Sequence, residues 1–210
     1  MKRLTAFLNA VLAGVCISLG ALAYLSIESK VAGSLFFFVG LFAVCTNGFS
    51  LFTGKVAYVF ERDWSFRLDI PIIWIGNLVG TALMGTLTRM TRLSAVVERA
   101  MAVTDTKLSD DMLSIFILAI FCNLLIFVAV DGFARNPHEI GKYIALLFGV
   151  CCFVVCGFEH CVANMFYFTA AGAWSGHAVL YVLIMTLGNS VGGVILPLSR
   201  KLIEKTTAAH

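Results

Sequence analysis

Two apolar runs, residues 31–60 and 140–171, constrain this chain more than anything else in it. Each is about 30 residues long, where about 20 cross a hydrocarbon core as a helix. Each carries polar residues at its centre. The first holds Thr46-Asn47-Gly48 and Thr53-Gly54-Lys55, and the second holds Gly157-Phe158-Glu159-His160-Cys161-Val162-Ala163-Asn164. Irregular backbone at mid-membrane depth survives only where protein buries it or it lines a cavity. An ionisable group at that depth is a functional-site hypothesis by default. Both runs are therefore expected to be interrupted helices, with Glu159 and His160 in the second interruption.

Four further apolar segments, at residues 4–27, 68–88, 112–130 and 176–197, complete a set of six. The expected fold is an all-α membrane protein of six transmembrane helices, forming one channel domain over residues 1–210. Composition agrees: 60% of residues are hydrophobic and 13% charged, against about 25% charged in soluble domains. Soluble enzymes and nucleic-acid-binding domains are excluded. The first segment exceeds the 7–15 residues of a signal-peptide core and reads as a membrane span. The seven cysteines lie in apolar stretches, where a thiol behaves as a small hydrophobe. No metal or cofactor is expected.

With six spans, both ends share one side. That side holds nine Lys and Arg residues against five on the other, with Lys55 inside a span and uncounted. The bias places both termini in the cytoplasm and the chain in the inner (plasma) membrane.

The halves, about 1–100 and 101–210, echo one another. Gly76-Asn77-Leu78-Val79-Gly80 in the third span matches Gly188-Asn189-Ser190-Val191-Gly192 in the sixth. Phe7-Leu8-Asn9 matches Phe121-Cys122-Asn123. Three spans per half is odd, so the halves have opposite topology. Inverted repeats with matched broken helices point to a substrate path at the centre. The glycines read as close-packing positions. Asn77 and Asn189 need polar partners in hydrocarbon, and loop backbone at the breaks supplies candidates.

Taken together, Leu51-Phe52-Thr53-Gly54, Gly76-Asn77, Cys122-Asn123-Leu124, Glu159-His160-Cys161-Val162-Ala163-Asn164-Met165 and Gly188-Asn189 followed by Val191-Gly192-Gly193 resemble the formate/nitrite transporter family. That family includes formate, nitrite and hydrosulfide channels, and the resemblance runs over nearly the whole chain. It implies an aquaporin-like protomer in a homopentamer, with one pore per subunit. It also implies a substrate pathway of His160 at the pore centre, Thr53 facing it from the loop that breaks the second helix, and Asn123 with Lys107 as a polar relay. By position, the dry constrictions would be Phe37, Leu41 and Phe153 on the outer side and Leu51 and Phe52 nearer the inner side. Asn164 belongs to the loop, with Glu159 expected to accept hydrogen bonds from loop N–H groups. The chain departs from the family pattern at Ser50, where Glu is frequent, at Lys55, where Asn is frequent, and at Cys161, where Ser is common. The segment ahead of the first span is short, so the gating role of an amphipathic N-terminal helix is not carried over.

The chemistry follows. A bare anion loses several kcal/mol of hydration in a dry pore, yet a permanently charged deep site holds it too tightly to conduct. Lys107 and Lys55 would concentrate anions near the two mouths. Helix N-termini at the breaks, Asn123 and Thr53 would donate hydrogen bonds. His160 would assist proton-linked permeation, since formate, nitrite and hydrosulfide are all conjugate bases of weak acids. Trp64, Trp74 and Trp174 read as interfacial anchors, and His138, His177 and His210 carry no role. A neutral-solute pore of the water or glycerol type is the alternative, but paired N-P-A motifs are missing. A metal enzyme built on Cys156, Glu159, His160 and Cys161 would have a poor ligand set.

Overall fold

The computed structural model describes residues 2–208, so His210 lies outside it. Among these residues the regular elements are helices: α1 (Lys2–Ser26), α2 (Lys30–Thr46), α3 (Phe52–Val56), α4 (Trp64–Arg89), α5 (Ser94–Leu108), α6 (Met112–Arg135), α7 (Glu139–Cys156), α8 (Cys161–Ala171) and α9 (Gly176–Thr207). Five of them, α1, α4, α6, α7 and α9, are long and apolar enough to cross a membrane.

The two overlong runs resolve into α2 followed by α3, and α7 followed by α8. Each first helix stops at a glycine in the left-handed region, Gly48 at φ 68° and Gly157 at φ 74°. Glycine takes that conformation without the Cβ clash other residues meet. The interruptions are shorter than the polar clusters suggested. Thr53-Gly54-Lys55 does not break the first run; it lies inside α3. Cys161 to Asn164 likewise open α8 rather than extend the loop.

Small residues set the packing. Gly76 and Gly80 of α4 lie against Phe7, Ala10 and Val11 of α1, and Gly188 and Gly192 of α9 lie against Phe116, Ala119 and Ile120 of α6. A Cβ at any of the four would run into a neighbour, so the helices of each pair approach closely and run parallel. The end of α9 meets the end of α6, where Arg200 and Arg135 both engage Asp131 at 3.0 and 2.9 Å. Arg135 also reaches Glu61, 3.5 Å away, just ahead of α4. The start of α1 and the end of α9 thus share one face.

α5 lies between the third and fourth apolar segments, outside the six expected spans. Its inward residues Val96, Ala100 and Thr104 fall at helical spacing, and it packs against α8 and carries Lys107 to the site. Trp74 is not an anchor at a span end. It lies within α4 and donates to Thr186 Oγ1 at 3.0 Å.

Candidate functional site

Two asparagines hold the breaks. Asn77 accepts from the Phe52 N–H at 2.8 Å and donates to Ala10 O at 2.8 Å and Ser50 O at 3.0 Å. Asn189 does the same across the repeat, accepting from Cys161 N–H at 2.9 Å and donating to Ala119 O and Glu159 O, each at 2.8 Å. Both amides are fully buried, so each side chain satisfies three backbone groups that water cannot reach. Ser50 N–H donates to Asn9 O and Glu159 N–H to Leu118 O, each at 3.3 Å. These bonds fix the internal register. Ser50 corresponds to Glu159, Leu51 to His160, Phe52 to Cys161, and Asn9 to Leu118. The pairing of Asn9 with Asn123 suggested by the sequence is therefore incorrect.

Asn123 has a different job from the donor role expected of it. Its Nδ2 donates to Thr53 O at 3.1 Å and to Asn189 O at 2.6 Å. Both amide hydrogens are spent on backbone, which ties α3 to α9. Three N–H groups at the starts of the short helices are also taken: Asn77 holds that of Phe52, Asn189 that of Cys161, and His160 that of Ala163.

A large cavity of about 940 Å³ opens on the face shared by the two chain ends, lined by residues including Leu41, Leu51, Lys55, Tyr58, Arg62 and Arg135. A smaller cavity of about 230 Å³ opens on the opposite side, lined by residues including Lys30, Phe37, Lys107, Phe153, Glu159, His160, Asn164 and Tyr167. Leu41, expected on the outer side with Phe37 and Phe153, lines the large cavity instead. Phe52 is buried but is not among the residues lining either cavity.

His160 and Thr53 meet between the cavities. His160 Nε2 lies 3.0 Å from Thr53 Oγ1, and Phe153 stacks on the imidazole with centroids 5.6 Å apart. Phe37 meets Phe153 edge-on at 5.7 Å. The imidazole is also the N-cap of α8, with Nδ1 accepting from Ala163 N–H at 3.1 Å. That bond requires a bare Nδ1, so the ring is neutral with its hydrogen on Nε2. Nε2 therefore donates to the Thr53 hydroxyl oxygen.

Lys107 and Glu159 form a buried ion pair at 2.6 Å, and Asn164 Nδ2 donates to the same carboxylate at 2.8 Å. Glu159 thus binds side chains rather than the loop N–H groups expected. Lys107 makes no hydrogen bond with Asn123 and carries no spare charge. Asn164 lines the small cavity, and its Oδ1 has no partner. Sequence reasoning missed Lys30 and Tyr167 on the same wall; nothing in their local pattern marks them. Among the described residues, no group of three or more His, Cys, Asp or Glu side chains is placed to hold a metal ion.

This arrangement can be set beside known proteins. A family model described as formate/nitrite transporter matches residues 1–199. The chain belongs to the formate/nitrite transporter family. It is a membrane transport protein, not an enzyme. An uncharacterized transporter, YrhG, of Bacillus subtilis is 30% identical over 182 residues, covering 80% of this chain and 68% of its own. The formate channel FocB of Escherichia coli is 26% identical over 93% of this chain and 85% of its own. The nitrite transporter NirC of Escherichia coli is 27% identical over 85% and 72%. Among solved structures, a pentameric formate channel with formate bound matches with a TM-score of 0.80 at 25% identity, covering 97% of this chain and 98% of that one. The architecture is therefore the all-helical fold of that channel family.

Proposed function

We propose that this family member conducts small monovalent anions of weak acids (formate, nitrite or hydrosulfide), with permeation linked to a proton at His160. In this reading α2 with α3, and α7 with α8, each make one interrupted crossing. Six crossings then form two inverted halves of aquaporin-like layout. The protein sits as a homopentamer in the inner membrane, with both termini cytoplasmic, and its partners are the bilayer and the anion.

The observation that carries this reading is the His160–Thr53 contact of 3.0 Å between two cavities opening on opposite sides. A neutral imidazole N–H relayed through a hydroxyl offers a directional donor without fixed charge. It polarises an anion without trapping it, and hydronium in the cavity supplies the proton that the anion takes up, leaving water. Leu51, Phe37 and Phe153 flank this point as dry walls, which the resulting neutral acid crosses cheaply.

Flux assays in proteoliposomes test it, with formate, nitrite and hydrosulfide at several pH values and protein-free vesicles as the baseline. Protein-dependent flux of at least one anion should rise as pH falls and should drop about tenfold in His160→Asn, the order of one lost hydrogen-bond donor. Water or glycerol permeation without anion flux would overturn the reading.

A further inference from the structure

The internal register exposes a charge that the two halves do not share. Glu159 corresponds to Ser50, and Asn164, four residues beyond His160, corresponds to Lys55, four residues beyond Leu51. In the second half the cation Lys107 is cancelled by Glu159 at 2.6 Å. In the first half the carboxylate position is a hydroxyl and the amide position is an amine. Among the described residues no side chain or carbonyl accepts from Lys55, while its backbone N–H donates to Leu51 O at 2.9 Å. The amine is partly buried and lines the large cavity with Leu51 and Cys45.

The acidic groups on the same wall are already engaged. Glu61 faces Arg135 at 3.5 Å, and Asp63 caps α4 by accepting the Phe66 N–H at 2.9 Å. Asp131, behind them, is held by Arg135, Arg200 and Tyr58. Arg62 adds a second cation at the rim.

We propose that Lys55 is an anion-binding site on the large cavity, one helical turn from Leu51, that takes the transported species as the anion before it enters the dry segment. On the small cavity the partly buried lysine, Lys107, is spent on Glu159, and the other cation of its lining, Lys30, is an exposed residue at the start of α2 rather than a partly buried one. Among the described residues, a partly buried fixed charge without a counter-ion is thus found on one side only. This rests on the anion-conducting reading above and assigns that reading a site of capture.

The test uses the full chain in planar bilayers, with nitrite or formate added to one side at a time over a concentration series and at two ionic strengths. In Lys55→Asn, the half-saturating concentration for anion added on the face of the chain ends should rise about three- to tenfold, the scale of one unit charge at contact distance in a watery cavity. Its dependence on ionic strength should fall. The value for anion added on the other face should stay within twofold. Lys55→Arg should keep the parent's behaviour. Ser50→Glu should reproduce Lys55→Asn by supplying the missing carboxylate, with Lys55 still present. A lysine that only suits the last turn of α3 would change thermal stability and leave these saturation curves alone. Parental curves and salt response in both Lys55→Asn and Ser50→Glu would overturn the proposal while leaving the channel reading intact. Absence of anion flux in the parent would overturn both.

Discussion

The first break ends in Ser50 and Leu51, the second in Glu159 and His160, and the backbone around them is held by the same bonds. A left-handed glycine ends each first helix. An asparagine from a distant helix then takes the first N–H of the next helix and gives both amide hydrogens to carbonyls. One half places a leucine and a free lysine on this frame; the other places an imidazole and a closed ion pair. The frame costs polar side chains in both halves, so it is duplicated. The proposed function calls on only one imidazole at the centre, and only the second half carries it. Structure and function are thereby separable at matched positions.

The largest expected effect tests whether the frame is truly duplicated. Asn189→Ala strands the Cys161 N–H and the Glu159 carbonyl in apolar surroundings and takes a second bond from Ala119 O, and should cost about 3 kcal/mol or more, at 1–3 kcal/mol per buried unsatisfied group. Asn77→Ala should cost the same within about 1 kcal/mol, since its three bonds are equivalent. Thermal unfolding in detergent measures both, and a much milder Asn77→Ala would show that the first break leans on other supports.

Next come the charges. Lys107→Met leaves Glu159 buried without its cation and should destabilise by about 3 kcal/mol, with most of the loss recovered in Lys107→Met/Glu159→Gln. Lys55→Met breaks no pair and should shift stability by less than about 1 kcal/mol. Equal losses at the two lysines would mean that Lys55 has a hidden counter-charge.

Smaller effects belong to the glycines and the hydroxyl. Gly48→Ala and Gly157→Ala should each cost about 1–2 kcal/mol for a left-handed non-glycine residue. The added methyl meets nothing within 4 Å at Gly48 and only Lys30 Nζ at 3.9 Å at Gly157, so conformation alone is measured. Thr53→Val should lower stability by about 1 kcal/mol and flux a few-fold, the scale of one hydrogen bond. Flux unchanged in Thr53→Val would remove the hydroxyl from the pathway.

Much of the frame was legible in the sequence. Two apolar runs too long for one crossing, with polar centres, pointed to the breaks, and G-N-x-V-G pointed to the paired asparagines. What was hidden is where local reading meets tertiary contact. Thr53-Gly54-Lys55 reads as a breaker because its residues are small and polar, yet Asn77 takes the Phe52 N–H and Asn123 the Thr53 carbonyl, which fixes the start of that turn as helix. The ion pair of Lys107 has no local signal because its partner lies 52 residues away. Asn9 and Asn123 look equivalent by spelling, and only backbone pairing shows that Asn9 corresponds to Leu118. Leu41 went to the wrong side of the centre because its helix stops only five residues on, at Thr46, well short of where the apolar run ends.

The doubly bonded imidazole has a consequence for motion. Turning the His160 ring half-way about its Cβ–Cγ bond would set Cδ2 against the Ala163 N–H and Cε1 against the Thr53 hydroxyl. The start of α8 and the bridge to α3 would be lost in one movement. The ring is thus geared to the fold and turns only when the end of α8 frays. Permeation schemes in which a histidine loads a proton on one side, swings and unloads on the other are closed to it. Nitrogen-15 spectra of labelled His160 should show a single tautomer with slow ring exchange, and fast exchange between two forms would reopen them.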